Sequence, residues 1–395
     1  MTALHVRPRR VLVRAWPLLL ALALLTAAPL LLSTNRQGRV AVKASIFLPD
    51  MVVQVPLPFR PVDLVSDAPK RERVVIEYES RNGPRTIEAD LYTPAHGAKH
   101  AGVVFSMGAP PLPLDDSRLM RIAEDASRAG VVMLVPFSDR LDELSVEPEE
   151  IDALVAEFQY VRALPDVDPA RMGFFGASVG GSLALVAAAD PRIANEVNHV
   201  VSFGGYFDAL QTFGAVLTHH IEYQDVDEPW TAQQHATNVV THQLVNRVGS
   251  EADRSLLARW FLDGEPASPQ DIATLSPVGL ATYDFLANRD PQAVQQLIDR
   301  LPQAEIDDMN YLSPRSSIAN VRADLIILHD QGDPFVPYTE SRRLQDAVGQ
   351  RPNVTFDELR LFDHITPKLN TRPEIVALDG TRLLFRLYQL LLRWE

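Results

Sequence analysis

The sequence of 395 residues contains no cysteine. This absence excludes disulfide bridges, thiolate metal ligands and a cysteine nucleophile together. It does not identify the compartment, because many exported proteins also have no disulfides. The chain also lacks an excess of basic residues, since 37 Lys and Arg stand against 51 Asp and Glu, for a formal net charge of −14. A nucleic-acid surface needs clustered positive charge, so we exclude nucleic acid as a partner.

Charged residues are absent from one long stretch near the amino terminus. Residues 15–33 are rich in leucine and alanine, and as a helix they would be about 28 Å long, close to the hydrocarbon thickness of a bilayer. Basic residues precede the stretch and favour an amino terminus in the cytoplasm: Arg7, Arg9, Arg10 and Arg14. We expect a signal anchor that spans the membrane, with everything after Ser33 extracytoplasmic. The alternative is a signal peptide cleaved near Thr26-Ala27-Ala28, which would give a secreted protein.

The sequence pattern divides the chain into five segments: 1–35, 36–70, 71–208, 209–310 and 311–395. The first holds the membrane segment, and the second, with its scattered prolines, predicts an extended spacer with room for a short amphipathic piece. The third starts with two strands joined through Asn82-Gly83-Pro84, then alternates apolar strands with amphipathic helices. The pattern of the fourth segment favours helices, with no convincing strand, and predicts an inserted cap. The fifth resumes the alternation, which is typical of a mostly parallel central sheet flanked by helices.

A serine boxed by glycines ends the apolar run Met172-Gly173-Phe174-Phe175-Gly176-Ala177-Ser178-Val179-Gly180-Gly181. Its middle fits the pattern G-x-S-x-G, in which a strand turns sharply into a helix and exposes the serine hydroxyl. The turn is so tight that the residues two before and two after the serine must be small, and Gly176 and Gly180 are. Ser178 is therefore a candidate nucleophile.

A serine nucleophile needs a base within hydrogen-bond reach and a carboxylate that orients the base. In a parallel sheet these residues belong on loops after later strands, at the edge that presents the serine. An apolar strand at residues 325–328 leads into a turn with Asp330 and Asp333, and His364 follows the last strand near residues 354–356. The order along the chain is serine, aspartate, histidine.

These motifs resemble the α/β-hydrolase superfamily over most of the chain after about residue 71. Residues 167–181 look like its nucleophile turn, and residues 325–337 are similar to its strand followed by an acid and Val-Pro. The resemblance implies an α/β-hydrolase fold with a helical cap insertion. It also implies the catalytic roles: Ser178 as nucleophile, Asp333 as orienting acid and His364 as general base.

Two positions depart from the superfamily pattern. Asp330 stands where a glycine is usual, and it is the second candidate for the acid. In the loop expected to supply an oxyanion donor, Met107-Gly108 replaces the frequent His-Gly pair. The amide of Val179, at the start of the helix after the serine, is the first expected donor. Ala109 is the second, because the two prolines that follow it have no N–H to give.

The cap histidines do not complete a metal site. His235 and His242 lie two helical turns apart, but no carboxylate completes a recognised ligand spacing, so we expect no metal. The resemblance implies no organic cofactor either. Aromatic residues of this region either line an acyl pocket or form the core of the cap: Phe207, Phe213, Tyr223, Trp230, Trp260 and Phe261.

The sequence as a whole favours a serine hydrolase that cleaves a small-molecule carboxylic ester or related acyl compound through an acyl-enzyme. Two alternatives remain open. One is a peptidase of the prolyl oligopeptidase type, although those relatives usually carry an amino-terminal propeller that this sequence does not show. The other is a catalytically idle hydrolase fold that serves as a binding module, and the presence of all three candidate residues argues against it.

Overall fold

The computed structural model describes residues 34–53, 60–97, 99–368 and 371–395. The hydrophobic segment predicted at residues 15–33 lies outside this range. Within these four stretches, no helix is both long and apolar enough to cross a membrane.

An eight-stranded sheet lies at the centre of the described chain. The strands, in chain order, are β1 (Lys70–Ser80), β2 (Gly83–Thr93), β3 (His100–Ser106), β4 (Val131–Phe137), β5 (Val167–Ala177), β6 (His199–Phe203), β7 (His220–Tyr223), β8 (Val226–Pro229), β9 (Asp324–Asp330), β10 (Val354–Leu359), β11 (Phe362–Asp363) and β12 (Thr366–Pro367). The order in the main sheet is β1-β2-β4-β3-β5-β6-β9-β10. The pairs β1–β2 and β2–β4 are antiparallel and all other neighbours are parallel, which confirms the mostly parallel sheet.

Helices cover both faces of this sheet. In chain order they are α1 (Arg36–Leu48), α2 (Ser117–Arg128), α3 (Asp139–Asp142), α4 (Glu149–Ala163), α5 (Val179–Ala188), α6 (Ala209–Thr218), α7 (Gln234–Asn246), α8 (Glu251–Phe261), α9 (Pro269–Ile272), α10 (Pro277–Ala287), α11 (Val294–Ile298), α12 (Gln303–Tyr311), α13 (Pro314–Ser317), α14 (Thr339–Val348) and α15 (Pro373–Trp394). Alternate strand residues point to opposite faces, so Val103 packs with α1, α2 and α15 while Val104 packs with α4 and α5.

The segment expected to be an extended spacer contains a folded helix. Asn35 caps α1, since its Oδ1 accepts the Gly38 amide at 2.8 Å. Val40, Ala44 and Phe47 recur at helical spacing, are almost fully buried, and pack with α15 in the same apolar cluster. Residues 36–48 therefore belong to one layer of the core, and the scattered prolines come only after the helix.

The helical insertion lies between β6 and β9, where the sequence predicts a cap. It comprises α6 to α12, and its apolar residues continue the cluster that starts on the sheet under α4 and α5. One prediction for this region differs from the structure, because β7 and β8 form an antiparallel hairpin where no strand was expected. The two strands have four residues each, too short for an alternating pattern to stand out, and their turn contains Gln224 with φ of 54°.

Candidate active site

Ser178 lies at the sharp turn between β5 and α5, as the motif predicts. Its backbone has φ 58° and ψ −134°, a region that non-glycine residues rarely occupy and that costs about 1–3 kcal/mol. The surrounding backbone holds this conformation, because the Ser178 amide donates to the Phe203 carbonyl and the Ser178 carbonyl accepts from the Gly181 amide, both at 2.8 Å. The side chain is half-buried and remains accessible.

Close backbone approach explains the glycines around the serine. A methyl group on Gly180 would lie 2.2 Å from the Ser106 carbonyl oxygen, and one on Gly176 would lie 2.4 Å from the Gly180 carbonyl oxygen. The loop after β3 also touches the serine itself, since a methyl group on Gly108 would lie 2.8 Å from Ser178 Cβ. The candidate oxyanion loop is therefore in contact with Ser178.

His364 occupies the tight turn between β11 and β12. The strands pair Asp363 with Thr366, so His364 and Ile365 form a two-residue loop. Its φ of 61° is the positive value that such hairpin turns require at their first central position. The turn presents the imidazole towards the carboxyl end of β9 and holds it in a largely buried position.

The structure brings His364 and Asp333 together. His364 Nδ1 lies 2.6 Å from Asp333 Oδ2, while Asp333 Oδ1 accepts the amides of Phe335 at 2.8 Å and Val336 at 3.1 Å. Burial alone would raise the pKa of the Asp333 carboxyl, but His364 and a second histidine, His329, hold it well below its usual range. The ionised carboxylate only accepts hydrogen bonds, so Nδ1 of His364 carries the proton and Nε2 is the basic atom.

His329 is a contact of the acid that the sequence analysis did not identify. It lies in β9 with no exposed surface, and its Nε2 is 3.3 Å from Asp333 Oδ2 and 3.0 Å from the Val336 carbonyl oxygen. Both neighbours accept, so Nε2 carries a proton. Burial lowers the pKa of His329, but its hydrogen bond and charge interaction with Asp333 outweigh burial and raise it. Its position in an apolar strand next to the acid turn was the available signal.

Asp330, the second candidate acid, has partners other than His364. Its Oδ2 accepts the Phe362 amide at 2.7 Å, and its Oδ1 accepts the Gly332 amide at 2.9 Å and Lys368 Nζ at 3.1 Å. The Asp330 carboxyl is fully buried and links two segments. One is the loop between β9 and α14, called the acid loop because it carries Asp333. The other is the β11–β12 hairpin, which carries His364. Burial raises the pKa of the Asp330 carboxyl, although the three donors oppose that shift.

Ser178 and His364 both lie next to the carboxyl end of β6. Phe203, the last residue of β6, binds the Ser178 amide, and a methyl group on the next residue, Gly204, would lie 3.2 Å from two ring atoms of His364. No hydrogen bond joins Ser178 Oγ to His364 in the described chain. Such contacts are often long in unliganded enzymes and tighten when a substrate binds.

The two expected oxyanion donors belong to different segments next to the serine. Val179 is the first residue of α5, where backbone amides have no acceptor within the helix. Ala109 is half-buried in the loop after β3. Met107, which replaces the superfamily's histidine, is buried in the apolar cluster under α2 and α15, so it fills a hydrophobic site.

The cap contacts the loops that carry these candidate residues. Trp230 Nε1 donates to the Asp333 carbonyl at 2.9 Å, and the Gln233 amide donates to the Pro334 carbonyl at 2.8 Å. His235 Nε2 lies 3.2 Å from the Ala109 carbonyl oxygen. Across the described ranges, no group of three or more potential ligands could hold a metal ion.

Comparisons with known proteins give short or distant matches. No model of a known protein family matches the chain. Proteins from two Mycobacterium tuberculosis strains, H37Rv and CDC 1551, are provisionally described as phosphoribosyl transferases and are 30% identical over 168 residues. That alignment covers 40% of this chain and 35% of theirs, so the chain matches about a third of the relatives' length.

Solved structures similar to the chain include two peptidases and an esterase. Pyrococcus horikoshii acylaminoacyl peptidase is 14% identical, with a TM-score of 0.46 over 84% of this chain and 42% of its own. Porphyromonas gingivalis dipeptidyl peptidase 4 is 14% identical, with a TM-score of 0.46 over 81% and 36%. The Pyrobaculum calidifontis esterase is 14% identical, with a TM-score of 0.43 over 95% and 97%.

The architecture of the chain itself decides the fold. The main sheet has the order β1-β2-β4-β3-β5-β6-β9-β10 with an antiparallel start, the serine lies at the strained turn after β5, and the helical insertion follows β6. The chain therefore has the fold of the α/β-hydrolase superfamily.

Proposed function

We propose that this protein is a serine hydrolase that cleaves a carboxylic ester or a related acyl compound. Ser178 is the nucleophile, His364 the general base and Asp333 the acid that orients it. The observation that carries the proposal is the hydrogen bond of 2.6 Å between His364 Nδ1 and Asp333 Oδ2, at the same sheet edge as the strained turn of Ser178.

The proposed reaction proceeds through a covalent acyl-enzyme. His364 Nε2 takes the proton from Ser178 Oγ as Oγ attacks the carbonyl carbon of the substrate. The bond to the leaving alcohol breaks, and the imidazolium returns the proton to that alcohol. A water molecule then attacks the acyl-enzyme by the same steps, which releases the acid and regenerates the serine. The amides of Val179 and Ala109 are the proposed donors to the oxyanion.

Turnover of paired substrates tests the activity and the bond that is cleaved. We expect p-nitrophenyl esters to be hydrolysed, with a preference among acyl chain lengths, and the matching p-nitroanilides to react at least about 100-fold more slowly. Ser178→Ala should abolish turnover, whereas Ser316→Ala, at an exposed serine of α13, should not change it. Faster cleavage of the anilides would indicate a peptidase, and no turnover of either series would indicate a binding module.

The description of the mycobacterial relatives does not enter this proposal. Only 35% of their length is matched, and phosphoribosyl transfer is the described activity of the whole relative. Ser178 and its neighbours supply the groups of acyl transfer instead.

A further inference from the structure

One cap segment, residues 230–235, touches both loops that carry the proposed chemistry. Two of its contacts go to the acid loop, through Trp230 and the Gln233 amide. The third, through His235, goes to the loop proposed to supply an oxyanion donor. The segment therefore links the cap to both of these loops.

The hydrogen bond of His235 has a defined donor and acceptor. Its Nε2 lies 3.2 Å from the Ala109 carbonyl oxygen, which can only accept. Nε2 therefore carries a proton and donates to this oxygen. This carbonyl belongs to the Ala109–Pro110 peptide, and the proposed oxyanion N–H belongs to the preceding Gly108–Ala109 peptide. The bond therefore anchors the backbone of Ala109 on its carbonyl side and acts on the N–H through the backbone dihedrals of this residue.

His235 is also connected to His364, through the ring of Phe335. Its ring meets the edge of Phe335, with ring centroids 6.0 Å apart, and Phe335 in turn lies against the His364 ring at 4.8 Å with an interplanar angle of 31°. The Phe335 amide donates to Asp333, so the backbone that carries this ring is held by the candidate acid. A continuous row of contacts runs from Ala109 through His235 and Phe335 to His364.

We infer that His235 is a positioning residue of the active site, supplied by the cap. It anchors the Ala109 carbonyl, and so the backbone next to the proposed oxyanion N–H, and it supports Phe335 against the ring of the proposed base. This inference rests on the proposed function, because it assigns a role within that reaction. It also gives the cap a part in catalysis beyond shaping the substrate pocket.

Three variants of His235 test the inference in the full-length protein, with an ester that the wild type hydrolyses. His235→Ala should lower kcat by about 10- to 100-fold with KM changed by less than about 3-fold, because the loss falls on groups that act in the transition state. His235→Gln should recover most of the rate, since its amide nitrogen can reach the position of Nε2. His235→Asn, which is too short to reach the Ala109 carbonyl, should not recover it.

His242 provides the matched control, because it lies two turns further along the same helix. His242→Ala should keep the wild-type kcat and KM, and all four variants should keep the melting temperature within a few degrees. A His235→Ala protein that is folded and matches His242→Ala in kcat overturns the inference while the proposed function stands. A loss of rate equal in the Gln and Asn variants also overturns it. If the wild type hydrolyses no ester, the proposed function fails and the inference falls with it.

Discussion

Four donors converge on the carboxylate of Asp333, and this arrangement decides what the residue can do. Two backbone amides occupy Oδ1, and His364 and His329 share Oδ2. A carboxylate so bound stays ionised and fixed in orientation, which suits an acid that orients a base and does not take the proton itself. Asp330 has a comparable number of donors, but they belong to the loops, and its carboxyl joins those loops.

Replacing each aspartate by asparagine separates the two roles. Asp333→Asn should reduce kcat by about 1,000- to 10,000-fold, because an amide can donate to Nδ1 and favour the wrong tautomer of His364. Asp330→Asn should cost less than about 10-fold in kcat, since the contact with the Phe362 amide survives the change. Steady-state hydrolysis of an ester measures both, and an inverted ranking would reassign the acid to Asp330.

Acid pH should act on stability through the same carboxylate. The pKa of Asp333 is lower in the folded state than in an unfolded chain, so the folded state gains stability from it above the ordinary carboxyl pKa. That stability is lost as pH falls through the folded value. The melting temperature of Asp333→Asn should therefore fall below that of the wild type near neutral pH and approach it in strong acid. Parallel curves for the two proteins at all pH values would contradict this linkage.

At the scale of elements, the loop after β3 is placed by its contact with the serine turn. Gly108 faces Ser178, where a methyl group would lie 2.8 Å from Cβ and 3.1 Å from Oγ. The loop therefore cannot keep its position with any larger residue there. The place of this loop in the chain predicts an oxyanion role for it, whereas the contact that fixes the loop is not visible in the sequence.

Gly108→Ala should lower kcat by about 100-fold or more, because the added methyl group pushes the loop away from the serine. Gly249→Ala is the control, since nothing lies within 4 Å of a methyl group at that position. Hydrolysis rates and melting temperatures of both variants measure the effect. Wild-type activity in Gly108→Ala would show that the loop moves freely during catalysis.

Two of the carboxyl groups that helix α4 buries lie beside the start of that loop. Glu150 and Glu157 line a cavity of about 20 Å³ together with Ser106 and Met107, large enough for one water molecule. Burial raises the pKa of Glu150 to about 7 and that of Glu157 well above its usual value. Glu157 Oε2 has no hydrogen-bond partner among the described residues. Both groups are thus more readily protonated in the folded state than in the unfolded chain.

The raised values predict a loss of stability as pH rises. Below the carboxyl pKa of the unfolded chain, the two groups are protonated in both the folded and the unfolded state. The stability that they contribute to the folded state is lost as pH rises through the folded pKa values. Glu157→Gln stays neutral, so it should raise the melting temperature by several degrees at about pH 8 and by much less at about pH 5. Glu143→Gln, at an exposed glutamate, is the control. An equal change in melting temperature at both pH values would show that the substitution acts through packing and not through the charge of Glu157.

At the scale of the whole molecule, local patterns predicted the sheet and the candidate triad. Short stretches of sequence are enough to recognise the alternation of apolar strands with helices and the motif around Ser178, because both depend on residues that are neighbours in the chain. The pairing of Ser178 with residues 333 and 364 followed from the rule that parallel strands end at one edge.

Features that depend on distant contacts were not predicted. The folding of α1 onto the core depends on α15, more than 300 residues later in the chain, and its three buried residues are too few to stand out among the prolines that follow. The contacts of the cap with Asp333 and Ala109 depend on side chains that could equally have formed the cap's core. The membrane segment remains a prediction, since residues 15–33 lie outside the described ranges.

The packing of α1 gives a stability test that should leave catalysis unchanged. Phe47 is 1% exposed, and Phe47→Ala should lower the free energy of unfolding by about 3 kcal/mol or more. Phe385→Ala, at a phenylalanine of α15 that is 51% exposed, should lower it by less than about 1 kcal/mol. Chemical denaturation measures both, and kcat should stay within about 2-fold in the folded proteins. Equal losses would show that α1 is not part of the cooperative core.

Covalent labelling shows directly whether Ser178 is an activated nucleophile. The intact protein is treated with a fluorophosphonate, digested, and mapped by mass spectrometry. We predict one adduct, on the peptide that contains Ser178, and labelling at least about 1,000-fold slower in His364→Ala. A protein that folds and takes up no label, or an adduct that persists unchanged in Ser178→Ala, would contradict the account.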